Sequence, residues 1–173
     1  MILPDITAQD LDVLIVGTAV AEKSSQDGHY YANTAKNSFW KLLHESGLTP
    51  TQLSPTEDTR LVTFGIGLTD LNKTTAQSKD EGLKYDFERF LDLVEDIKPR
   101  WIGFNGMTAG KNCARFAGRK KPEFGGQPRW MIGTSKVFVL PSSSNAFAIP
   151  YDAKLATWHL LAKSVMGESR ANG

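Results

Sequence analysis

The residues of this chain that could do chemistry fall in three segments. The first, residues 17–37, carries Glu22, Gln26, Asp27, His29, Tyr30, Tyr31, Asn33 and Asn37. The second, residues 65–75, carries Thr69, Asp70, Asn72 and Lys73. The third reads Pro141-Ser142-Ser143-Ser144-Asn145-Ala146-Phe147-Ala148 and directly follows the apolar run Val137–Leu140. Its serines and asparagine bring many hydrogen-bonding groups with little bulk, and Phe147 adds one ring, so it reads as a flexible loop able to insert into something. Long polar loops are more often functional than structural. Aromatic faces beside amides and carboxylates suit a planar heterocycle, whose face stacks while its polar edge is read by hydrogen bonds. The plainer alternative is that Tyr30 and Tyr31 pack the loop onto the core, Phe147 tucks inward and the carboxylates are solvated.

Other chemistries lack their motifs. There is no Gly-x-Ser-x-Gly elbow, no phosphate-binding loop and no paired-histidine zinc motif. His29, His44 and His159 are scattered, and His44 falls in a helical pattern that suggests a structural role. Cys113 is the sole cysteine, which excludes internal disulfides and cysteine-only metal or iron–sulphur sites. No metal or cofactor is expected.

To act together, these segments must be brought to one place by the elements between them. Val13–Val16 ends at Gly17 as a first strand, and a long polar loop is expected from there to Asn37. Phe39, Trp40, Leu42 and Leu43 predict a helix that stops near Gly47. Leu61–Leu71 predicts a second strand leading into a loop, and Phe87, Phe90, Leu91, Val94 and Ile97 lie at helical spacing before Pro99. Trp101–Phe104 predicts a strand turning at Asn105-Gly106, and residues 109–117 a helix. The run Val137–Leu140 is another strand, and Leu155, Trp158, Ala162 and Val165 mark a final amphipathic helix. Apolar runs alternating with helical patterns predict an α/β fold: a three-layer α/β/α sandwich around a short, mainly parallel sheet of about four strands. In such sheets ligands bind at the carboxyl ends of the strands. No linker signal divides residues 1–173, and that length supports one domain with a real core.

The net charge of +1 does not announce a nucleic-acid binder. Its distribution says more, because Lys111, Arg115, Arg119, Lys120, Lys121 and Arg129 fall in one stretch opposed only by Glu123. A local basic face can bind phosphates at modest overall charge, with Lys111, Arg115 and Lys120 the chosen contacts, although a solvated helix face gives the same pattern. No apolar run approaches the roughly 20 residues of a membrane span, and Met1-Ile2-Leu3-Pro4-Asp5 does not read as a signal peptide. The expectation is an intracellular monomer with no membrane partner, cytoplasmic at the nucleoid if the source is prokaryotic.

Five segments in register carry a family resemblance. They are Gly17 to Trp40, with Tyr31-Ala32 and Asn37-Ser38-Phe39-Trp40; Gly65-Ile66-Gly67-Leu68-Thr69-Asp70; Lys98-Pro99-Arg100 with Phe104-Asn105-Gly106; Glu123-Phe124-Gly125-Gly126-Gln127-Pro128; and Leu140-Pro141-Ser142-Ser143-Ser144. Over roughly residues 11–165 the chain resembles the uracil-DNA glycosylase superfamily, most closely its mismatch-specific thymine/uracil branch. The resemblance implies base-excision repair: hydrolysis of the N-glycosidic bond of uracil, and of other damaged bases, in single- or double-stranded DNA. The target nucleotide must leave the stack, because its glycosidic bond is otherwise out of reach.

The resemblance also assigns roles. Tyr31 matches the aromatic that stacks on the flipped base, and the Thr18 backbone N–H matches a donor to the base's carbonyl edge. Ala19 and Ser143 fall among the base-binding positions. Asp70 stands where relatives read the pyrimidine edge with an amide. An ionised Asp only accepts hydrogen bonds and disfavours an anionic leaving base, a tension that a raised pKa or a water-mediated contact would relieve. Ser144, Asn145, Ala146 and Phe147 match the loop that enters the duplex, with Phe147 as the wedge; relatives often have arginine at the position of Ala146.

The first motif departs most. The mismatch-specific branch has Gly-x-Asn-Pro-Gly, whose Asn positions the attacking water, whereas this chain reads Gly17-Thr18-Ala19-Val20-Ala21. In the iron–sulphur branch a downstream carboxylate serves instead. By that analogy Asp27, eight residues after Ala19, is the first candidate, Glu22 the second and Asn33 the third. Uracil-restricted relatives place a tyrosine at the position of Ala21, so a tolerant pocket is expected. Ser142-Ser143-Ser144 replaces a histidine of some branches, which predicts modest turnover. No lysine matches a Schiff-base position, so the resemblance implies a monofunctional enzyme. Two alternatives stand beside this one: a member that binds lesions or abasic sites with little or no hydrolysis, and an enzyme of free nucleosides, against which the basic stretch and Phe147 argue.

Overall fold

The protein is described by a computed structural model covering residues 2–172, with side chains as far as residue 167; Met1 and Gly173 lie outside the described residues. The elements in chain order are β1 (Val13–Gly17), α1 (Glu22–Asp27), α2 (Phe39–Glu45), a 3-10 helix (Pro55–Phe64), β2 (Ile66–Asp70), α3 (Phe87–Ile97), β3 (Trp101–Asn105), α4 (Met107–Phe116), β4 (Gly125–Ile132), β5 (Ser135–Leu140) and α5 (Tyr151–Asn172). The strands form one sheet in the order β2-β1-β3-β5-β4. β1, β2, β3 and β5 run parallel, and β4 pairs antiparallel with β5. Among the described residues no helix is long and apolar enough to cross a membrane.

The three layers follow from the alternation along the buried strands. Successive side chains of a strand face opposite sides of the sheet, and a parallel sheet covered on both faces needs apolar residues on both. Val13 and Ile15 of β1 join Ile66 and Leu68 of β2 and Phe138 and Leu140 of β5 on one face. There they meet Phe39, Trp40, Leu42 and Leu43 of α2 and Trp158, Leu161, Ala162 and Val165 of α5. Leu14, Val16, Ile102, Phe104, Val137 and Val139 face the other way, onto Phe90, Val94 and Ile97 of α3 and Ala109, Cys113 and Ala114 of α4. Phe104 is fully buried, and its replacement by alanine would cost about 3–5 kcal/mol.

The sheet has five strands rather than about four. The addition is β4, whose Gly125-Gly126-Gln127-Pro128 start has low strand propensity and whose pairing is interrupted between Gly126 and Met131. Pro128 is tolerated because β4 lies at the sheet edge. The stretch 17–37 is not loop throughout, since it contains α1. That helix buries only Ser24, so it has no apolar stripe to read; Lys23 pairs with Asp27 one turn on, and Gly28 ends it in the left-handed region at φ 77°. The apolar residues Leu61 and Val62 belong to the 3-10 helix, and the strand starts at Ile66.

For function the register matters most. Gly17 pairs with Asp70, Val16 with Phe104, and Asn105 with Leu140. Gly17, Asp70, Asn105 and Leu140 therefore end four neighbouring parallel strands at one edge, the place where open α/β sheets bind ligands.

Candidate functional site

The floor of this edge is Gly17, and it needs to be glycine. A Cβ there would collide with Asp70 Oδ1 and come within 3.3 Å of the Tyr31 hydroxyl. The missing side chain lets β1, β2 and the segment carrying Tyr31 meet. Tyr31 itself holds φ at 51°, in the left-handed region that non-glycine residues seldom occupy. Its ring stacks on Phe39 with centroids 3.8 Å apart and planes at 21°, and its carbonyl accepts from Trp40 Nε1 at 3.3 Å. Backbone strain of this kind is a mark of sites where geometry serves function. Tyr30, by contrast, is core: its backbone N–H donates to Asp58 and its hydroxyl to the Pro4 carbonyl.

Asn105, at the end of β3, ties three parts of the edge together. Its Nδ2 donates to the Tyr31 hydroxyl at 3.2 Å and to Ser143 Oγ at 2.9 Å, and its Oδ1 accepts from the Ser143 backbone N–H at 2.9 Å. Ser143 is fully buried, and its carbonyl accepts from the Ser38 N–H. The sequence shows Asn105 only as half of an Asn-Gly turn; that its side chain reaches back to residues 38 positions away in one direction and 74 in the other has no local signal.

The serine loop, expected to be flexible, is held by several hydrogen bonds. Its hydroxyls turn inward on its own backbone, Ser142 Oγ accepting from Ser144 N–H and Ser144 Oγ from Ala146 N–H. Asn145 pairs with the 35–38 segment: its N–H donates to the Lys36 carbonyl, and its Oδ1 accepts from Ser38 Oγ. Lys154, only 3% exposed in the first turn of α5, donates to the Ser144 carbonyl at 2.7 Å. Burial lowers the Lys154 pKa from its ordinary value. Phe147 is half-buried, 5.9 Å from the Phe124 ring and 5.5 Å from the Lys154 ammonium, while Asn145 and Ala146 are exposed at the tip.

Asp70 is 3% exposed, and its Oδ2 has no hydrogen-bond partner among the described residues. Burial raises its pKa to about 7, against the pull of Lys73 and Arg89 and with the push of Asp5. Those two cations are committed elsewhere. Lys73 Nζ lies 2.8 Å from Asp5 Oδ1 and donates to the Tyr30 hydroxyl. Arg89 binds Asp5 Oδ2 at 2.8 Å, Thr69 Oγ1, and the Asp70 backbone carbonyl. Burial works against Asp5's charge too, but the hydrogen bonds from Lys73 and Thr69 outweigh it and hold Asp5 below its ordinary pKa.

The candidate water-orienting residues are not gathered at this edge. Glu22 is exposed and accepts from Ser78 Oγ, and Asp27 is exposed and paired with Lys23 at 2.8 Å. Asn33 is half-buried, and its carbonyl accepts from the Lys36 N–H in a turn. Besides Asp70, a carboxylate that reaches the first-motif turn is Asp80, which accepts from Thr18 Oγ1 at 2.6 Å. It lies on the 71–86 segment, which covers residues 17–22 through Asn72 N–H to the Thr18 carbonyl and Gln77 N–H to the Val20 carbonyl. Ala19 is half-buried beside it.

Of the basic stretch, Arg119, Lys120, Lys121 and Arg129 line one surface groove with Phe124 and Trp130. Lys111 and Arg115 stand on α4 outside that lining. Through Phe124 the groove abuts Phe147 of the serine loop. Among the described residues no cluster of His, Cys, Asp and Glu could hold a metal ion.

Two comparisons bear on this arrangement. The family described as the uracil DNA glycosylase superfamily matches residues 4–162. The solution NMR structure of a protein from Methanosarcina acetivorans, provisionally described as a uracil DNA glycosylase, superposes with a TM-score of 0.66 over 95% of this chain and 96% of that one. The two are 23% identical, so the likeness is one of fold.

Proposed function

The chain belongs to the uracil DNA glycosylase superfamily, and from that membership we propose that it excises uracil, and other damaged bases of similar shape, from DNA by hydrolysing the N-glycosidic bond. The observation that carries this reading is the convergence of Gly17, Thr18, Tyr31, Asp70, Asn105 and Ser143 at the carboxyl ends of adjacent parallel strands. In this reading the flipped base lies on Tyr31, whose tilt Phe39 and Asn105 fix. The Thr18 N–H, Ala19, Ser143 and Asp70 surround its edge. Branch membership with the mismatch-specific enzymes is part of the proposal, and the small Ala21 supports a pocket tolerant of a 5-substituent.

Unstacking a base costs a few kcal/mol, recovered by pocket contacts and by a side chain in the vacated space. Phe147 takes that space, with Ser144, Asn145 and Ala146 following the backbone, and swings from its rest against Phe124 and Lys154 as DNA binds. Lys111, Arg115 and Lys120 contact phosphates, and the groove beside Phe124 leads the strand away from the wedge.

The bond breaks through an oxocarbenium-like sugar that a nearby carboxylate stabilises while a water is oriented for attack. For that role we rank Asp80 ahead of Asp27, Glu22 and Asn33, because its carboxylate is set against the first-motif turn. The reaction is assigned as monofunctional and to a monomer. The two buried lysines near the edge support the first point, since Lys73 is engaged by Asp5 and Lys154 by the Ser144 carbonyl.

A second reading is a lesion- or abasic-site-binding protein with little hydrolysis. It is favoured by Ala19 in place of the water-positioning asparagine and by the solvent-facing pairs that occupy Glu22 and Asp27. One assay separates the two. End-labelled oligonucleotides carrying uracil, single-stranded or opposite guanine or adenine, are incubated with the protein and then cleaved with alkali. We expect alkali-labile product, unchanged for Asp27→Ala and strongly reduced for Asp80→Asn. Tight binding with no product would establish the second reading.

A further inference from the structure

We propose that Asp70 serves as a neutral carboxylic acid that presents a donor and an acceptor side by side to the flipped base, so that base recognition is lost when Asp70 ionises. This rests on the glycosylase reading and adds to it the identity and charge state of the group that selects the base.

Asp70 Oδ2 is buried and has no partner among the described residues, and Oδ1 lies over Gly17 beside the Tyr31 hydroxyl. A buried carboxylate normally keeps its charge by ion pairing or by several donated hydrogen bonds. Asp70 lies within the electrostatic reach of two cations, yet each makes its ion pair with Asp5, and their other hydrogen bonds go to Tyr30, Thr69 and the Asp70 backbone carbonyl. Arg89 touches Asp70 only at the backbone carbonyl. Asp5 takes both positive charges and adds a negative one nearby.

The groups facing Asp70 from each neighbouring segment leave the same picture. They are Asp5 from the amino-terminal segment, Tyr30 and Tyr31 from the turn after α1, Lys73 from the segment after β2 and Arg89 from α3. Burial, and then Asp70's own charge, drive both tyrosine hydroxyls well above their ordinary pKa, so they stay neutral and do not titrate in Asp70's place. The pKa of Asp70, pushed up to about 7, agrees with the geometry.

The chemistry then fits one class of base. The edge of uracil offers a carbonyl acceptor next to the N3–H donor. A neutral carboxyl donates its O–H to the first and accepts from the second, as an amide does. A carboxylate can accept from N3–H but sets a lone pair against the carbonyl, and it opposes the negative charge of the departing base. No proton is transferred to or from Asp70 in this scheme; it only has to keep its own.

Asp70→Asn fixes the amide pattern at every pH and tests this directly. Single-turnover release of uracil from a single-stranded oligonucleotide is measured from about pH 5.5 to about 9 for the wild type and for D70N. The wild-type rate is expected to fall about tenfold per pH unit above neutrality, and the D70N rate to lack that fall. Affinity for an oligonucleotide with a non-hydrolysable 2′-fluoroarabino-uridine, relative to the same strand with a base-free tetrahydrofuran residue at that position, should behave likewise. In protein carbon-labelled at the aspartate carboxyl, the NMR resonance missing from D70N should titrate near neutral pH. An identical alkaline fall in D70N, folded D70N that neither binds nor acts at any pH, or a carboxyl titrating in the ordinary aspartate range would each overturn the proposal. Absence of uracil release from both proteins at every pH would be failure of the glycosylase reading alone, because the affinity and the titration still judge Asp70.

Discussion

Replacing Asn105 with alanine should loosen the functional edge more than any single deletion among its partners. The side chain makes three hydrogen bonds, two to Ser143 and one to Tyr31. In N105A the Ser143 N–H loses its acceptor within a fully buried residue. An unsatisfied buried donor costs about 1–3 kcal/mol, and each of the two other bonds contributes about 1 kcal/mol, so the total is roughly 2–4 kcal/mol after allowing for non-additivity. Ser143→Ala removes one bond and keeps the backbone contact, and Tyr31→Phe removes only the hydroxyl; each should cost about 1 kcal/mol. Urea unfolding of the three variants, read as a shift of midpoint at constant slope, gives the ranking. N105A within about 0.5 kcal/mol of wild type, or S143A at least as costly as N105A, would refute the view of Asn105 as the junction of β3, Tyr31 and the serine loop.

Asp70 also links stability to pH. Its folded pKa is raised from 3.8 to about 7, so its contribution is fully present below about pH 4 and is lost as pH rises through about 7. Each pH unit of that window is worth about 1.4 kcal/mol, so D70N should gain up to about 4 kcal/mol on the wild type between about pH 4 and pH 7 in urea titrations; a difference that does not change with pH would count against it. Phe147→Ala should slow excision from duplex DNA about tenfold or more, with less than about a threefold effect on single strands, where there is little stack to fill. Equal loss on both substrates would remove Phe147 from the wedge role. Three phosphate contacts predict a duplex-binding slope of about −3 in log K against log salt, reduced by about 1 for alanine at Lys111, Arg115 or Lys120. A salt-independent affinity would exclude this face as the phosphate site.

Much of the fold could be read from the chain because burial leaves a periodic trace. The run Val13–Val16, the helical spacing of Phe90, Val94 and Ile97, and the Val137–Leu140 strand all pack where their apolar residues require. α1 and β4 left no such trace. α1 buries a single serine, and β4 lies on an edge with alternating exposure and two glycines at its start. The segments forming the candidate site were also visible by residue type, and Gly17, Tyr31, Asp70 and Ser143 do converge. What stayed hidden was partnership across long separations. Asn105 reads in the sequence only as half of a turn, and neither Lys154 nor Asp80 carries a local signal of its contact with the Ser144 carbonyl or the Thr18 hydroxyl. The spacing of Asp27 from Ala19 says nothing of where its side chain faces, and α1 exposes both Asp27 and Glu22.

In the proposed reaction this edge of the sheet cleaves a base from DNA and leaves the strand whole. Mass spectrometry of a uracil-containing oligonucleotide incubated with the wild-type protein, without alkali, tests it most directly. An intact abasic strand together with an equimolar amount of free uracil is expected. An unchanged oligonucleotide under conditions of demonstrated binding, or a strand broken at the uracil without alkali, would contradict it.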